Sequence, residues 1–406
     1  MSPSCRSLVR RGKNIRIVSI NKIFLFLETA RNLRHFNEAP YKNNLIMLIA
    51  LLRNAQLHPP TAEPCVQISG AGVDLQGAAD QAGAEADQRA QARFERDRVF
   101  GRYATNIFLA SWKMTNTSVA NKMEVEAEDV LFFWFNDDSD DHCPKFMVLL
   151  DHSQSSVVLI VRGTFSFKDV LMDVVCEDAE FLDGFAHKGF IDASRSVMDK
   201  CSKVIEKALI ENFGYQLVVC GHSMGGSVAA MITLELLHGN RYPVLPPGIS
   251  VRCVALGSAP VYRTEADLSA QYLDKIDVYI NDRDCIPRLS LGSIAKLLAM
   301  LREVDGLGLS MDAQLGVVMW REDEATVLNR ERVRRALKEV RQDRFLYLQH
   351  PGHVTQLNNK GRNVEVKHVG MDGVRDIAAN FEIHETMITD HLHTVYRKAF
   401  SKNICK

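Results

Sequence analysis

The chain predicts an α/β domain, a mostly parallel central sheet covered by helices on both faces. Three observations carry this expectation. Short apolar runs of strand length recur at Ser156 to Val161, Tyr215 to Cys220, Val251 to Leu256 and Ile276 to Ile280. Longer segments with helical spacing of apolar residues separate most of them, the alternation that builds a covered sheet. One run then leads through Gly221-His222-Ser223-Met224-Gly225-Gly226 into Ser227 to Leu237, a largely apolar segment of buried-helix type. The 406 residues suffice for one large domain with attachments, and 46% hydrophobic and 24% charged residues are ordinary globular composition.

Taken in order, residues 1–100 read as an N-terminal extension. Its start is basic, with Arg6, Arg10, Arg11, Lys13, Arg16 and Lys22 preceding the first acid, Glu28. An unstructured basic tail is the expectation, with a transit or membrane-surface segment as the alternative. Asn43 to Gln56 suits one helix, stopped by His58-Pro59-Pro60. Gly70 to Arg93 is rich in Ala, Gln, Asp and Gly and reads as a partly disordered linker or a solvated helix. The domain boundary is expected near Phe94 to Tyr103, with the main domain over 101–406. Tyr103 to Trp112 suits a helix, and Asp129 to Phe135 a strand. Asn136 to Asp141 is an acidic run without the glycine and glutamate of a calcium loop, so a solvated loop is expected. Lys145 to Asp151 and Ser156 to Val161 read as a hairpin. Lys168 to Val174 turns helical. His187 to Phe190 opens a long helix with Val197, Cys201, Val204, Ile205, Ala208 and Leu209 on one face, ended by Gly214. Ser293 to Lys338 reads as a helical insert, Phe345 to Leu348 and His353 to Leu357 as a strand pair around Pro351-Gly352, and the end of the chain as a helix.

The Gly-His-Ser-Met-Gly turn between strand and helix has the form of a nucleophile elbow. Gly221 and Gly225 flank the serine because side chains there would collide with the neighbouring strand or helix. A serine hydroxyl needs an adjacent base, and the base an acid that orients it. With this elbow the chain order is serine, acid, histidine. Spacing leaves Asp282 and Asp284 about equal as the acid, since both follow the strand ending at Ile280. His384, His391 and His393 lie late enough for the base, and His350, His353 and His368 are weaker. His222, beside the nucleophile, is expected to pack or orient the turn. Oxyanion donors are expected from the Met224 N–H and from Arg162-Gly163-Thr164 at the end of an earlier strand, with Thr164 as the donor.

With these pieces in place, the chain resembles the class 3, fungal-type lipase family, most closely its sn-1-specific diacylglycerol lipases. The resemblance rests on Tyr103 to Trp112, Leu150-Asp151-His152-Ser153, Val161-Arg162-Gly163-Thr164, Lys168 to Asp173, His187-Lys188-Gly189, Gly221 to Gly226, Asp284-Cys285-Ile286-Pro287-Arg288-Leu289 and Asp390-His391-Leu392. It spans about Tyr103 to Phe400. It implies the α/β-hydrolase fold, and it favours Asp284 over Asp282, His391 over His393, and Thr164 in the oxyanion hole. It also likens 293–338 to a regulatory insertion, hence a movable cover over an acyl pocket. Animal diacylglycerol lipases usually carry four membrane spans ahead of this domain, and none is visible in this sequence.

The implied activity is cleavage of acylglycerol esters, most simply diacylglycerol to monoacylglycerol and fatty acid, through an acyl-enzyme on Ser223. A phospholipase A1 or general carboxylesterase is the alternative, and a catalytically silent signalling module a more distant one. No metal or organic cofactor is expected, with calcium dependence kept open by the acidic run. A net charge of −1 argues against nucleic acid as a bulk electrostatic partner. Nine scattered cysteines without a C-x-x-C pair point to a reducing compartment and against a zinc site. The expected partner is lipid at a membrane or droplet surface, and the expected location cytoplasmic or peripheral to a membrane.

Overall fold

The computed structural model describes residues 75–111, 113–135, 143–163, 178–238, 245–246, 248–264, 270–340, 347–382, 384 and 386–405. The basic start, the expected helix at 43–56, the acidic run, Thr164 and the segment 168–174 lie outside them. In chain order the main elements are α1 (Leu75–Asn106), α2 (Asn116–Met123), β1 (Val130–Trp134), β2 (Phe146–Asp151), β3 (Ser156–Val161), β4 (Asp178–Phe181), β5 (Gly184–His187), α3 (Lys188–Glu211), β6 (Gln216–His222), α4 (Met224–His238) and β7 (Val251–Leu256). They continue with β8 (Tyr262–Thr264), α5 (Ala270–Leu273), β9 (Ile276–Asn281), α6 (Leu291–Gly306), α7 (Met311–Val318), α8 (Glu324–Glu339), β10 (His353–Lys360), β11 (Asn363–Val369), α9 (Met371–Ala379), α10 (His393–Phe400) and β12 (Asn403–Ile404).

Among the described residues the main sheet has the order β1-β2-β3-β6-β7-β9-β10-β11-β12. Its centre, β3-β6-β7-β9-β10, is parallel. The hairpin β2–β3 extends it antiparallel at one side and β10–β11 at the other. β4, β5 and β8 form a small separate sheet.

The strands are apolar throughout because both faces are covered. On β3, Val157, Leu159 and Val161 point into one core, shared with α3 and α4. Val158 and Ile160 point into the other, shared with α1 and α10. The same two-residue period divides Leu217 and Val219 from Val218 and Cys220 on β6. The expected doubly covered α/β sheet is the observed one.

Two expectations are corrected. The boundary placed at 94–103 falls inside α1, which runs unbroken from Leu75 to Asn106. From Ala90 onward α1 is part of the core, with Phe94 and Phe100 essentially unexposed. Its polar composition hides this, because much of its anchoring is ionic. Arg96 donates to Asp277 at 2.6 Å, Arg252 pairs with Asp97, and Tyr279 donates to Asp97 at 2.9 Å. Second, His353 to Leu357, expected to pair with Phe345 to Leu348, of which Phe345 and Leu346 lie outside the described residues, pairs with a later strand. β10 pairs with β11 across Gly361, which takes the positive φ of 59° that the turn needs. Leu348 lies in neither strand, while its neighbour Gln349 makes a lone bridge to Tyr262.

Candidate active site

Parallel strands end together at one edge, and the site is built there. β6 ends at His222, and Ser223 occupies the turn into α4 with φ of 60°, a left-handed conformation rare for a side-chain-bearing residue. Such strain costs about 1–3 kcal/mol and persists only where the surroundings over-determine it. Here Ser223 N–H donates to the Leu256 carbonyl, and the Ser223 carbonyl accepts from Gly226 and Ser227. The flanking glycines are sterically required. A β-carbon on Gly221 would run into the Gly225 carbonyl, and one on Gly225 into the Val161 carbonyl.

The hydroxyl of Ser223 lies 2.8 Å from Nε2 of His391, and Nδ1 of His391 lies 3.0 Å from both carboxylate oxygens of Asp284. The carboxylate enforces one tautomer. Nδ1–H donates to Asp284, which leaves the Nε2 lone pair facing the serine. Asp284 is fully buried and accepts further bonds from the Ile286 N–H at 2.9 Å and the Tyr396 hydroxyl at 2.7 Å. His391 sits in the turn between α9 and α10, so Tyr396 reaches back from α10 to the same carboxylate.

The other candidates have separate roles. Asp282, directly after β9, ties that strand end to β10, accepting from the Asn359 N–H at 2.8 Å. His393 stacks flat on Phe108, with ring centroids 4.3 Å apart and an interplanar angle of 7°. His384 accepts from the Thr386 N–H, His350 is buried with Nε2 donating to the Pro287 carbonyl, and His353 faces Asp274. His368, on β11, offers its backbone N–H to Asp87. His222 does orient the site: its Nε2–H donates to the His391 carbonyl at 2.8 Å, and the two rings stack at 4.8 Å. Burial, followed by the nearby His391 and His393, holds the His222 pKa well below the usual histidine value. That ring is therefore a fixed neutral donor and packing piece.

On the oxyanion side, Met224 is the first residue of α4, so its N–H belongs to the unpaired first turn of a helix. β3 ends beside the elbow, where Val161 is paired with Gly221. A β-carbon on Gly163 would strike the His222 carbonyl, so the backbone approaches Ser223 closely at this point. Thr164 follows directly, outside the described residues.

Sequence reasoning missed Tyr396 and Gly257. Gly257 follows β7 with φ of 54°, and a β-carbon there would stand 2.7 Å from Asp284 Oδ2 and 2.8 Å from the Tyr396 hydroxyl. The Gly257-Ser258 pair after a buried strand was the available signal for Gly257. Nothing local marks Tyr396, whose partner is 112 positions away.

Comparison with known proteins finds partial matches. Residues 158–293 match the family described as Lipase (class 3). Mouse diacylglycerol lipase-beta is 35% identical over 160 residues, covering 37% of this chain and 23% of that protein. Secreted mono- and diacylglycerol lipase A of Penicillium cyclopium is 33% identical over 129 residues, covering 31% of this chain and 42% of that protein. The chain thus spans less than half the length of either relative. A solved lipase from Rhizopus microsporus var. chinensis superposes over 74% of this chain and 86% of its own, with a TM-score of 0.47 and 17% identity. Residues 158–293, which hold Ser223 and Asp284, are thus the part of this chain that resembles class 3 lipases.

Proposed function

We propose that the chain is a serine lipase that cleaves acyl esters of acylglycerols, most simply diacylglycerol to monoacylglycerol and fatty acid. The observation that carries this reading is the continuous hydrogen-bonded line from Ser223 through His391 to Asp284. The Ser223 oxygen attacks the ester carbonyl while His391 Nε2 takes its proton. Asp284 stabilises the resulting imidazolium, and the Met224 and Thr164 N–H groups hold the oxyanion. His391 then protonates the leaving alcohol. Water, activated by the same histidine, releases the fatty acid and regenerates Ser223. The diacylglycerol preference draws support from the two diacylglycerol-lipase relatives. No described helix is long and apolar enough to cross a membrane.

Labelling with a fluorophosphonate tests the reading. Wild type is expected to label and Ser223→Ala not to. Absence of labelling in wild type, or equal labelling of both, would overturn it. Hydrolysis of diacylglycerol compared with phosphatidylcholine then separates the lipase from the phospholipase alternative.

A further inference from the structure

A run of cations gathers at the same edge of the sheet as Ser223. β10 runs parallel to β9 with Leu357 opposite Asn281, so its end at Lys360 projects three residues past the end of β9, at the edge where Asp284 follows. Arg362 occupies the turn that follows. Lys402 and Asn403 adjoin it, because β12 pairs Asn403 with Asn363. Arg397 and Lys398 follow Tyr396 directly on α10. Arg362, Arg397, Lys398 and Lys402 line one groove of about 470 Å³. Arg397 and Ser401 continue into a second of about 390 Å³, shared with Arg102, Lys122 and Leu109.

Among the described residues, Arg362, Arg397, Lys398, Lys402 and Lys122 form no ion pair. Of these cations only Arg102 has a carboxylate, Glu124. A favourable interaction with the end of α10 accounts for Arg397 and Lys398. It does not account for Arg362 and Lys402 converging from other segments. In a chain of net charge −1, five cations without carboxylates on one face are a local concentration of charge. Exposed leucines flank it: Leu392, next to His391, is 47% exposed, and Leu109, next to Phe108, is 38% exposed. Basic side chains with apolar neighbours are the composition that binds an anionic bilayer surface, the cations meeting headgroups and the leucines the acyl boundary.

We propose that this rim docks the catalytic edge onto membranes rich in anionic lipid, presenting Ser223 to the bilayer. The proposal rests on the lipase reading for its orientation but makes its own electrostatic claim. The leucines favour a bilayer over an acidic protein as the partner.

The test uses the full chain carrying Ser223→Ala, so that lipid is not consumed, sedimented with vesicles. Vesicles of phosphatidylcholine alone are compared with vesicles containing phosphatidylserine. Binding is expected to be more than about tenfold stronger to the anionic vesicles and to fall as salt rises. Adding Arg362→Glu and Lys398→Glu is expected to remove most of that preference, and Lys398→Arg to retain it. Equal binding to both vesicle types, or a double charge reversal that binds anionic vesicles unchanged, would overturn the proposal. The latter result would move the attachment elsewhere in the chain, and tight binding only to an acidic protein would also count against it. Fluorophosphonate labelling and soluble short-chain ester hydrolysis, measured on the active chain with and without the charge reversals, show that the variant is folded. Labelling without a lipid-charge preference removes the docking proposal alone. Lipid-charge preference without labelling removes the lipase reading alone, and the urea midpoint then serves as the fold check.

Discussion

At the residue scale, the position of the acid depends on groups that do no chemistry. The Tyr396 hydroxyl accepts from the Asn281 N–H at 3.0 Å and donates to Asp284, joining the end of β9 to the carboxylate. Burial, with Asp284 close by, pushes the Tyr396 pKa well above its ordinary value, so the hydroxyl stays a donor. Tyr396→Phe removes that bond with little change in shape. The expected result is a kcat on a soluble ester about tenfold or more lower with KM nearly unchanged, and a stability loss of about 1–2 kcal/mol. A kcat unchanged within twofold would deny Tyr396 a positioning role. Gly257→Ala forces a β-carbon against the same carboxylate at a φ of 54°, and should cost more activity than Tyr396→Phe. The comparison of the two variants by labelling rate separates crowding of Asp284 from loss of one bond.

At the element scale, α1 is the piece that composition disguised. Its Ala, Gln, Asp and Arg content gives no apolar stripe before Ala90, yet it holds the sheet through Asp97, Arg93 and Arg96. Asp97 is fully buried and takes Arg252, Arg96 and Tyr279 together. Asp97→Ala leaves guanidinium groups without their partner and should cost about 3 kcal/mol or more in urea unfolding. A chain beginning at residue 101 discards Phe94, Phe100 and this network, and should be insoluble where one beginning at residue 75 folds. Equal solubility of the two would show α1 to be dispensable. The helical insert divides similarly. α6 buries Ile294, Leu297, Leu298 and Leu301 in the core, so removing all of 293–338 would unfold the domain. Met311, Met319 and Leu328 are exposed, and polar substitutions there probe the proposed cover without that damage.

The strands β3, β6, β7 and β9 were legible because two-sided burial leaves unbroken apolar runs, and the elbow because its glycines are sterically forced. β11 was passed over although Val364 and Val366 alternate with polar residues, since Phe345 to Leu348 is the more apolar run. The choices between Asp282 and Asp284, and between His391 and His393, could not be made from spacing. They are decided by which side chains cross between β9, α10 and the elbow, and no local pattern records that.

At the scale of the whole molecule, buried histidines tie stability to pH. Burial pushes the His350 pKa down to about 4, and His222 is held low by burial and its histidine neighbours. The unfolded chain accepts these protons near pH 6.5, while the folded chain refuses them. Stability from each group is therefore complete above about pH 6.5 and falls as pH drops toward the folded value. Burial raises the pKa of Asp390 and Asp277, which act in the opposite direction, so the total slope mixes both signs. A difference measurement isolates one group. His350→Gln retains a donor for the Pro287 carbonyl but cannot titrate. Between pH 7 and pH 4.5 wild type should lose about 2 kcal/mol relative to that variant, read as the gap between their urea-derived stabilities. Parallel curves would mean that His350 protonates equally in the folded and unfolded chain. The same experiment with His222 would confound stability with the His391 carbonyl it holds, so His350, whose ring meets the backbone after Asp284 and not the site itself, is the residue that reads the global effect.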